Sequence, residues 1–555
     1  MTTRRFSKNP HTNRAARGRS AGQILAAQPF AFDPLGRKRD ALQTVRQDHP
    51  CTERQAKTLV LTLPRPALVV VALVTAVRIF VAFHFPLTED ESYYWSWSRH
   101  PAFGYVDHPP MVAWLIALTA PLGRDPGWVR LPFILCEGAT ALVLARTALV
   151  VGGSACAATA AAVAFTAIPQ IRLAIGEALP DGPYLLCWAL ALLFTAKLGR
   201  AREAQPDWGD AAALGLALGG TLLSRVFGWA LVFGVAAYAL GPSRRVLWRR
   251  GLWLALALAL ALYAPFIVWN ATHQWVNFTF AVRDRQQFGA FSVTNVSVLS
   301  SARFLVYAIA VWILGVGVAL RPRRALIAWT ALPFPTFLAG LSFFETVESY
   351  WLLGPFTSLC TGIGLSYARL SLRWRRALWV LLVPAVYTIV SALFVTLPEG
   401  GQRALLQATH GGAQAMYSNV FAYAPFARDV RALSAGRTPL VITDQFEVAS
   451  ELAYYGLDPL VIGESSHAQQ SLAWHGPLDV PAQVLFVSLN PPAADEDLSR
   501  RLAEAFSRVS PGPTFHYRYA GVDAMTFYTA WCETPKAHAG QTLFAPDLAL
   551  AGEHS

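Results

Sequence analysis

The sequence predicts an α-helical polytopic membrane protein of about eleven transmembrane helices, with a small carboxyl-terminal α/β domain. Three observations lead there. Of 555 residues 54% are hydrophobic and only 14% charged, with a mean hydropathy of +0.37; soluble domains carry roughly 25% charged residues. Apolar runs recur as far as residue 397, separated by short loops in which Lys and Arg cluster, as the positive-inside rule expects. Beyond Pro398 hydropathy falls and strand-like and helix-like stretches alternate. The net charge of +12 belongs to those inner loops, so nucleic acid is not a partner. Six cysteines (51, 136, 156, 187, 360, 532) show no redox or metal-ligand spacing. No disulfide framework follows, and positions 136, 156, 187 and 360 read as core.

Residues 1–57 hold twelve Lys or Arg against four acidic residues and no apolar periodicity, which predicts a disordered basic cytoplasmic tail. No apolar h-region begins near Met1, against a cleaved signal peptide. The membrane domain, 58–397, then opens with an uncleaved span at 67–85. Arg78 at its centre calls for a buried partner, and Glu137 on the neighbouring span is the candidate. The span delivers an outer loop, 86–128, that carries Glu89-Asp90-Glu91 and an aromatic run. Tyr93 and Trp97 would share a helix face there, at headgroup level. The apolar run 111–122 falls short of the roughly 20 residues needed to cross, and reads as interfacial or re-entrant. Counting it would invert everything after it.

Further spans are read at 131–150, 155–171, 183–197, 211–223, 227–240 and 252–269. The set closes with 304–320, 325–344, 351–368 and 378–397. The amino terminus lies inside and the carboxyl terminus outside. Arg283 and Arg285 make the one basic outer loop. The periplasmic domain, 398–535, is read with strands at 440–443, 460–462, 484–488, 516–519 and 525–528. Its helices are read at 445–455 and 495–507, and a flexible tail covers 536–555.

Asp90-Glu91-x-Tyr93-Tyr94-Trp95, followed by Gly104-Tyr105-x-Asp107-His108-Pro109-Pro110-Met111, resembles bacterial members of glycosyltransferase family 39. That family is similar to protein O-mannosyltransferases and to the lipid A aminoarabinose transferase. Arg130-Leu131-Pro132, Pro180-Asp181, Leu223-Ser224-Arg225 and Tyr350-Trp351 stand in the expected order, and Ala449 to Tyr455 resembles a tail segment common to the family. The resemblance covers roughly residues 67–530. It implies a GT-C membrane fold in the bacterial inner membrane. It also implies transfer of a sugar from a polyprenyl-phosphate carrier to a lipid, glycan or protein acceptor at the outer face. No redox cofactor is needed. A divalent metal is left open, with Asp90, Asp181 and His108 as its ligands. Arg225 stands where the pattern usually has Lys, Tyr350 where His or Asn is frequent, and His108 where the aminoarabinose branch has Lys. The last change weakens the case for aminoarabinose.

Carried over residue by residue, the resemblance makes Asp90 the general base toward an acceptor hydroxyl. Glu91 is a second catalytic candidate, or else supports Asp90 and caps the helix. Asp181 touches acceptor or metal, or caps a helix. Arg225 suits the phosphate leaving group as a fork-shaped cation, with an interfacial snorkelling residue as the plain reading. His108 beside Asp107 would meet donor phosphate or an ion, or simply stack on aromatics; Tyr350 and Trp351 complete the set. The carboxyl-terminal domain is expected to bear on acceptor choice or closure rather than chemistry. Two rival readings are a transporter or flippase of lipid-linked substrates and a non-catalytic assembly partner of the same fold.

Overall fold

The computed structural model describes residues 62–168, 176–200, 208–241, 250–280, 325–344, 347–377, 385–409, 412–437, 439–476 and 479–544. The basic segment 1–57, the loop with Arg283 and Arg285, the span 304–320 and the arginine clusters at 244–249 and 321–324 lie outside the described residues.

The chain opens with α1 (Arg65–His84), the surface helix α2 (Glu89–Arg99) and α3 (Met111–Thr119), which ends in a 3-10 turn, Ala120–Leu122. The membrane helices α4 (Pro126–Val150), α5 (Ala155–Thr166), α6 (Asp181–Arg200), α7 (Trp208–Ser224), α8 (Gly228–Leu240) and α9 (Arg250–Thr272) follow. After them come α10 (Ala325–Ala331), α11 (Leu353–Tyr367) and α12 (Ala385–Thr396). Among the described residues four helices are long and apolar enough to cross a bilayer: Arg65–His84, Pro126–Val150, Asp181–Arg200 and Gly251–Thr272. Each reaches the roughly 30 Å that twenty residues span. The stretches 155–166, 228–240 and 325–341 are apolar but shorter. Met111–Leu122 totals twelve residues, too short to cross as a straight helix.

Small residues let these helices approach closely. α5 packs on α11 and on α4, and the buried face of α5 is Ala157, Ala158, Ala161 and Ala162. A Cβ added at Gly364 would stand 2.3 Å from the Ala157 carbonyl oxygen, so only glycine fits that crossing. The cysteines divide: Cys360 is buried, whereas Cys156 is exposed and Cys136 and Cys187 are half-buried, so the expected core role holds for the first alone. Cys156 sits in the first turn of α5, outside its buried face.

Arg78 on α1 meets Glu137 on α4, Nη1 to Oε2, at 2.6 Å, and both side chains are buried. The expected partnership is present and α1 is thereby pinned to α4. Removing either charge strands the other in an apolar setting, a loss of about 3–5 kcal/mol in soluble proteins. Arg78→Leu and Glu137→Leu should each lower the melting temperature in detergent, and the double variant should recover part of the loss. Strictly additive shifts would show that the two do not interact.

The carboxyl-terminal region contributes α13 (Tyr423–Leu433), β1 (Leu440–Thr443), α14 (Phe446–Tyr454), β2 (Leu460–Val461), α15 (Ser466–His475) and β3 (Gln483–Ser488). It closes with α16 (Glu496–Ala505), β4 (Phe506–Pro511), β5 (Phe515–Tyr519) and β6 (Val522–Pro535). The strand order is β2-β1-β3-β6-β4, with β5 also on β6. β1 runs parallel to β2 and β3, while β6 is antiparallel to β3, β4 and β5. Alternation assigns the faces: Val441, Leu485 and Val487 pack with α13 and α14, and Ile442, Val484 and Phe486 pack with α16. Sequence reading found β1, β2, β3, β5, α14, α16 and part of β6; among the elements it missed are α13, α15 and β4, the last two polar or mixed in composition.

Candidate active site

Thr88 starts α2 through a capping box: its backbone N–H donates to Glu91 Oε2 at 2.9 Å, while its side chain accepts from the helix backbone. Successive helical residues diverge by about 100°. Glu91 accordingly turns inward and Asp90 turns to a cavity. Tyr93 and Trp97 share a face as expected, with ring centroids 4.9 Å apart, and Trp97 stacks on Tyr105 at 4.3 Å. Tyr105 belongs to the loop that carries Asp107 and His108. Asn277 holds this loop by donating to the Tyr105 and Val106 carbonyls at 3.0 and 3.1 Å. Gly104 is required there, because a Cβ would come within 2.3 Å of the Trp269 ring.

The cavity encloses about 240 Å³. Asp90 and Tyr94 line it from α2, Asp107 and His108 from the following loop, and Pro180 and Asp181 from the start of α6. Arg225 joins from the α7–α8 turn, Tyr350 from the segment before α11, and Phe446 and His467 from the carboxyl-terminal region. Thus Asp90, Asp107, His108, Asp181, Arg225 and Tyr350, singled out across 260 positions of sequence, stand around one space. Arg225 Nη1 donates to Asp181 Oδ1 at 2.5 Å, and its guanidinium lies 5.1 Å from the Tyr350 ring centroid. Asp181 is the first residue of α6, where its carboxylate complements the helix dipole. One bond does not exhaust a five-donor guanidinium.

Two candidates fall outside the cavity. Trp351 is buried behind Tyr350, packed on Phe227 at 5.0 Å, and serves the membrane core. Glu91 is fully buried and its oxygens are committed: Oε1 accepts from Arg130 Nε at 2.7 Å and from Ala178 N at 2.8 Å, and Oε2 accepts from Arg130 Nη2 at 2.5 Å besides Thr88. A carboxylate so engaged has no oxygen left to receive a substrate proton, which corrects the catalytic candidacy of Glu91. For a metal, Asp90, His108 and Asp181 share the cavity. Among the described residues, however, no three His, Cys, Asp or Glu side chains converge to hold an ion.

Sequence reasoning missed the contribution of the carboxyl-terminal region. His467 Nε2 lies 3.2 Å from Asp107, and its ring stacks on Phe446 at 4.2 Å. Gln470 Oε1 accepts from Val106 N at 3.1 Å, and Tyr423 donates to Glu89 Oε1 at 2.6 Å. Some 360 residues separate Asp107 from His467, and no spacing pattern connects them. The one cue was the family-like segment at 449–455, which forms most of α14, packed on α2.

Glu451 in that segment is fully buried, and neither oxygen has a hydrogen-bond partner among the described residues. Burial holds its carboxyl well above the ordinary range, and the nearby Glu89 carboxylate adds to this. The neighbouring Ser92 hydroxyl donates to the Glu89 carbonyl at 2.9 Å, and its influence on Glu451 is a smaller, opposing one. A pKa raised by folding means that the folded protein holds the proton more tightly. The stability contributed is complete below the unfolded carboxyl's pKa, about 4.3, and is lost as pH rises through the folded value. Glu451→Gln, neutral throughout, should match the wild-type melting temperature at acid pH and exceed it in mildly alkaline buffer. A variant that melts lower at alkaline pH would show an ionised, satisfied Glu451.

Comparison with known proteins shows what the chain is similar to. Residues 107–269 match the family model described as dolichyl-phosphate-mannose-protein mannosyltransferase. The chain is similar to the lipid A galacturonosyltransferase RgtD of Rhizobium johnstonii, 25% identical over 456 residues, covering 77% of this chain and 91% of that protein. The fold matches crystal structures of ArnT from Cupriavidus metallidurans, apo and bound to undecaprenyl phosphate. Each has a TM-score of 0.58 at 16% identity, covering 84% of this chain and 97% of theirs. The chain thus shares the fold of the ArnT structures, and its segment 107–269 carries the mannosyltransferase family pattern.

Proposed function

We propose that the protein transfers a sugar from a polyprenyl-phosphate carrier to an acceptor hydroxyl at the periplasmic face of the bacterial inner membrane. The observation that carries this is the convergence of Asp90, Asp107, His108, the Asp181–Arg225 pair and Tyr350 on one cavity, where α6 begins and α7 ends. The name of RgtD, a lipid A galacturonosyltransferase, supports a lipid acceptor, and the undecaprenyl phosphate bound by ArnT supports the carrier. In this reading the amino terminus is cytoplasmic, and the region from 398 to 535 forms a periplasmic domain.

Arg225 meets the donor phosphate with the N–H groups that Asp181 leaves over, and His108 adds a hydrogen bond from the loop beside it. The acceptor oxygen attacks the anomeric carbon from the face opposite the phosphate. The bond from that carbon to the phosphate oxygen breaks and its electron pair leaves on the polyprenyl phosphate, whose charge Arg225 offsets. Asp90 takes the hydroxyl proton. Configuration inverts. Asp181 keeps the guanidinium in place, and His467 holds Asp107 beside it.

The test is turnover by the purified chain in lipid nanodiscs, supplied with a radiolabelled polyprenyl-phosphate sugar and a glycolipid acceptor. The expected result is label in the glycolipid with stoichiometric release of polyprenyl phosphate. Movement of intact donor across the bilayer without cleavage would instead make the protein a flippase.

A further inference from the structure

Asp90 depends on how α2 is seated, and α2 is held from two sides. From the membrane side Arg130 forks Glu91 at 2.7 and 2.5 Å. From the other side α14 packs on α2, with Phe446 4.6 Å from Tyr93 and Tyr454 5.3 Å from Trp95, centroid to centroid. Phe446, at the start of α14, also lines the cavity that Asp90 lines. A shift of α14 along α2 is therefore felt at the proposed base.

Glu451 stands inside this contact. It is 0% exposed, and neither of its oxygens has a hydrogen-bond partner among the described residues. The groups around it are mostly acidic. α2 brings the Glu89 and Glu91 carboxylates, and α4 brings Arg130. α13 brings the Tyr423 hydroxyl, which donates to Glu89 at 2.6 Å, while Arg431 on the same helix donates to the Tyr455 carbonyl. On α14 itself stand Glu447 and Tyr454, with Tyr455 just beyond. β1 and β2 carry no ionisable side chain. Among the described residues the cation that faces Glu451 is Arg130, and its donors are spent on Glu91 and on the Ala82, Phe85 and Pro86 carbonyls. An ionised Glu451 is then a buried anion beside two others, with no donor left to meet it. A neutral carboxyl fits that space and a charged one does not.

We infer that Glu451 is a positioning residue: neutral, it seats α14 on α2 and thereby fixes Asp90 at the cavity, and its ionisation unseats the pair. This rests on the transferase reading above, because Asp90 is the group positioned. The proton goes to bulk water as pH rises, and the charge left behind repels Glu89 and Glu91 across the contact. Burial holds the carboxyl well above its ordinary range, so the seat is intact in acid and is lost as pH rises through the folded value. Transfer is thus limited on its alkaline side by a group that touches neither sugar nor phosphate.

The experiment uses the full chain in nanodiscs, wild type and Glu451→Gln, from acid to mildly alkaline buffer. Transfer rates are read at each pH, and hydrogen–deuterium exchange of α2 and α14 is read without substrates. In acid the two proteins should match by both measures. In alkaline buffer the wild type should transfer at least roughly tenfold more slowly than the variant, the yield of one pH unit of uncompensated ionisation. Its α2 and α14 amides should also exchange faster there than the variant's, while those of β3 and β6 stay level. Glu89→Gln should show a smaller alkaline loss, since an ionised Glu451 then meets one carboxylate fewer. That variant decides the matter if Glu451→Gln does not fold, because a loss equal to the wild type's would overturn the inference. Equal exchange in wild type and Glu451→Gln at every pH would overturn it and leave the transferase reading intact. A difference in exchange with a flat ratio of rates would overturn it too, reducing Glu451 to a structural role. The exchange difference without transfer by either protein would sustain the seat and bring down the transferase reading.

Discussion

Asp90→Asn is expected to lower transfer at least roughly a hundredfold, the low end of general acid–base contributions, while donor binding survives. The substitution keeps size and shape but removes the negative charge and the ability to accept a proton. Donor affinity should persist because the phosphate is assigned to Arg225 and His108, on other segments of the cavity wall. The neighbouring carboxylates serve as internal controls. Glu89→Gln should be nearly silent, since a Gln oxygen can still accept from Tyr423 at the place where Glu89 accepts at 2.6 Å. Initial rates of the purified variants at saturating acceptor, with donor affinity read separately, rank the two residues directly. Near-wild-type transfer by Asp90→Asn would remove Asp90 from the chemistry.

Periodicity and charge carried much of this molecule. The apolar runs at 67–85 and 131–150 lie largely within α1 and α4, and Arg78 announced its partner because a cation amid twenty apolar residues is costly without one. The motif residues were legible one at a time; their convergence was not. The resemblance placed Asp90, Asp181, Arg225 and Tyr350 in order along the chain, but order does not say which side of α2 faces the cavity. The capping box decides that, by committing Glu91 to the helix start. Long-range closure was the least legible feature. The contacts of Phe446, His467 and Gln470 with α2 and the loop after it depend on tertiary packing alone, and α15 itself reads as a polar stretch with Ser and Gln. The carboxyl-terminal region supplies Phe446 and His467 to the cavity wall.

The same clamp that withdraws Glu91 from chemistry gives the largest expected stability effect. Arg130 uses all five of its N–H donors. Nε and Nη2 form a fork on Glu91 at 2.7 and 2.5 Å, Nη1 reaches the Ala82 and Phe85 carbonyls at 3.2 and 2.7 Å, and Nη2 also reaches Pro86 O at 2.6 Å. Glu91 meanwhile accepts from Ala178 N. One buried pair therefore joins the end of α1, the start of α2, the first turns of α4 and the turn before α6. Both side chains are fully buried, so removing one leaves an uncompensated charge and several orphaned backbone groups. Glu91→Ala or Arg130→Met should each cost about 3–5 kcal/mol, more than any exposed pair. Arg130→Lys keeps the charge but loses the fork, and should fall well short of rescue. Because Ala178 lies three residues before Asp181, loosening the clamp should also reduce transfer with little change in its pH profile. Asp90→Asn removes the proposed base and should lower transfer without loosening the clamp. Melting temperatures in detergent, with pH–rate curves for the same preparations, separate the two. A Glu91→Ala protein that is as stable as wild type but inactive would return Glu91 to the list of catalytic groups.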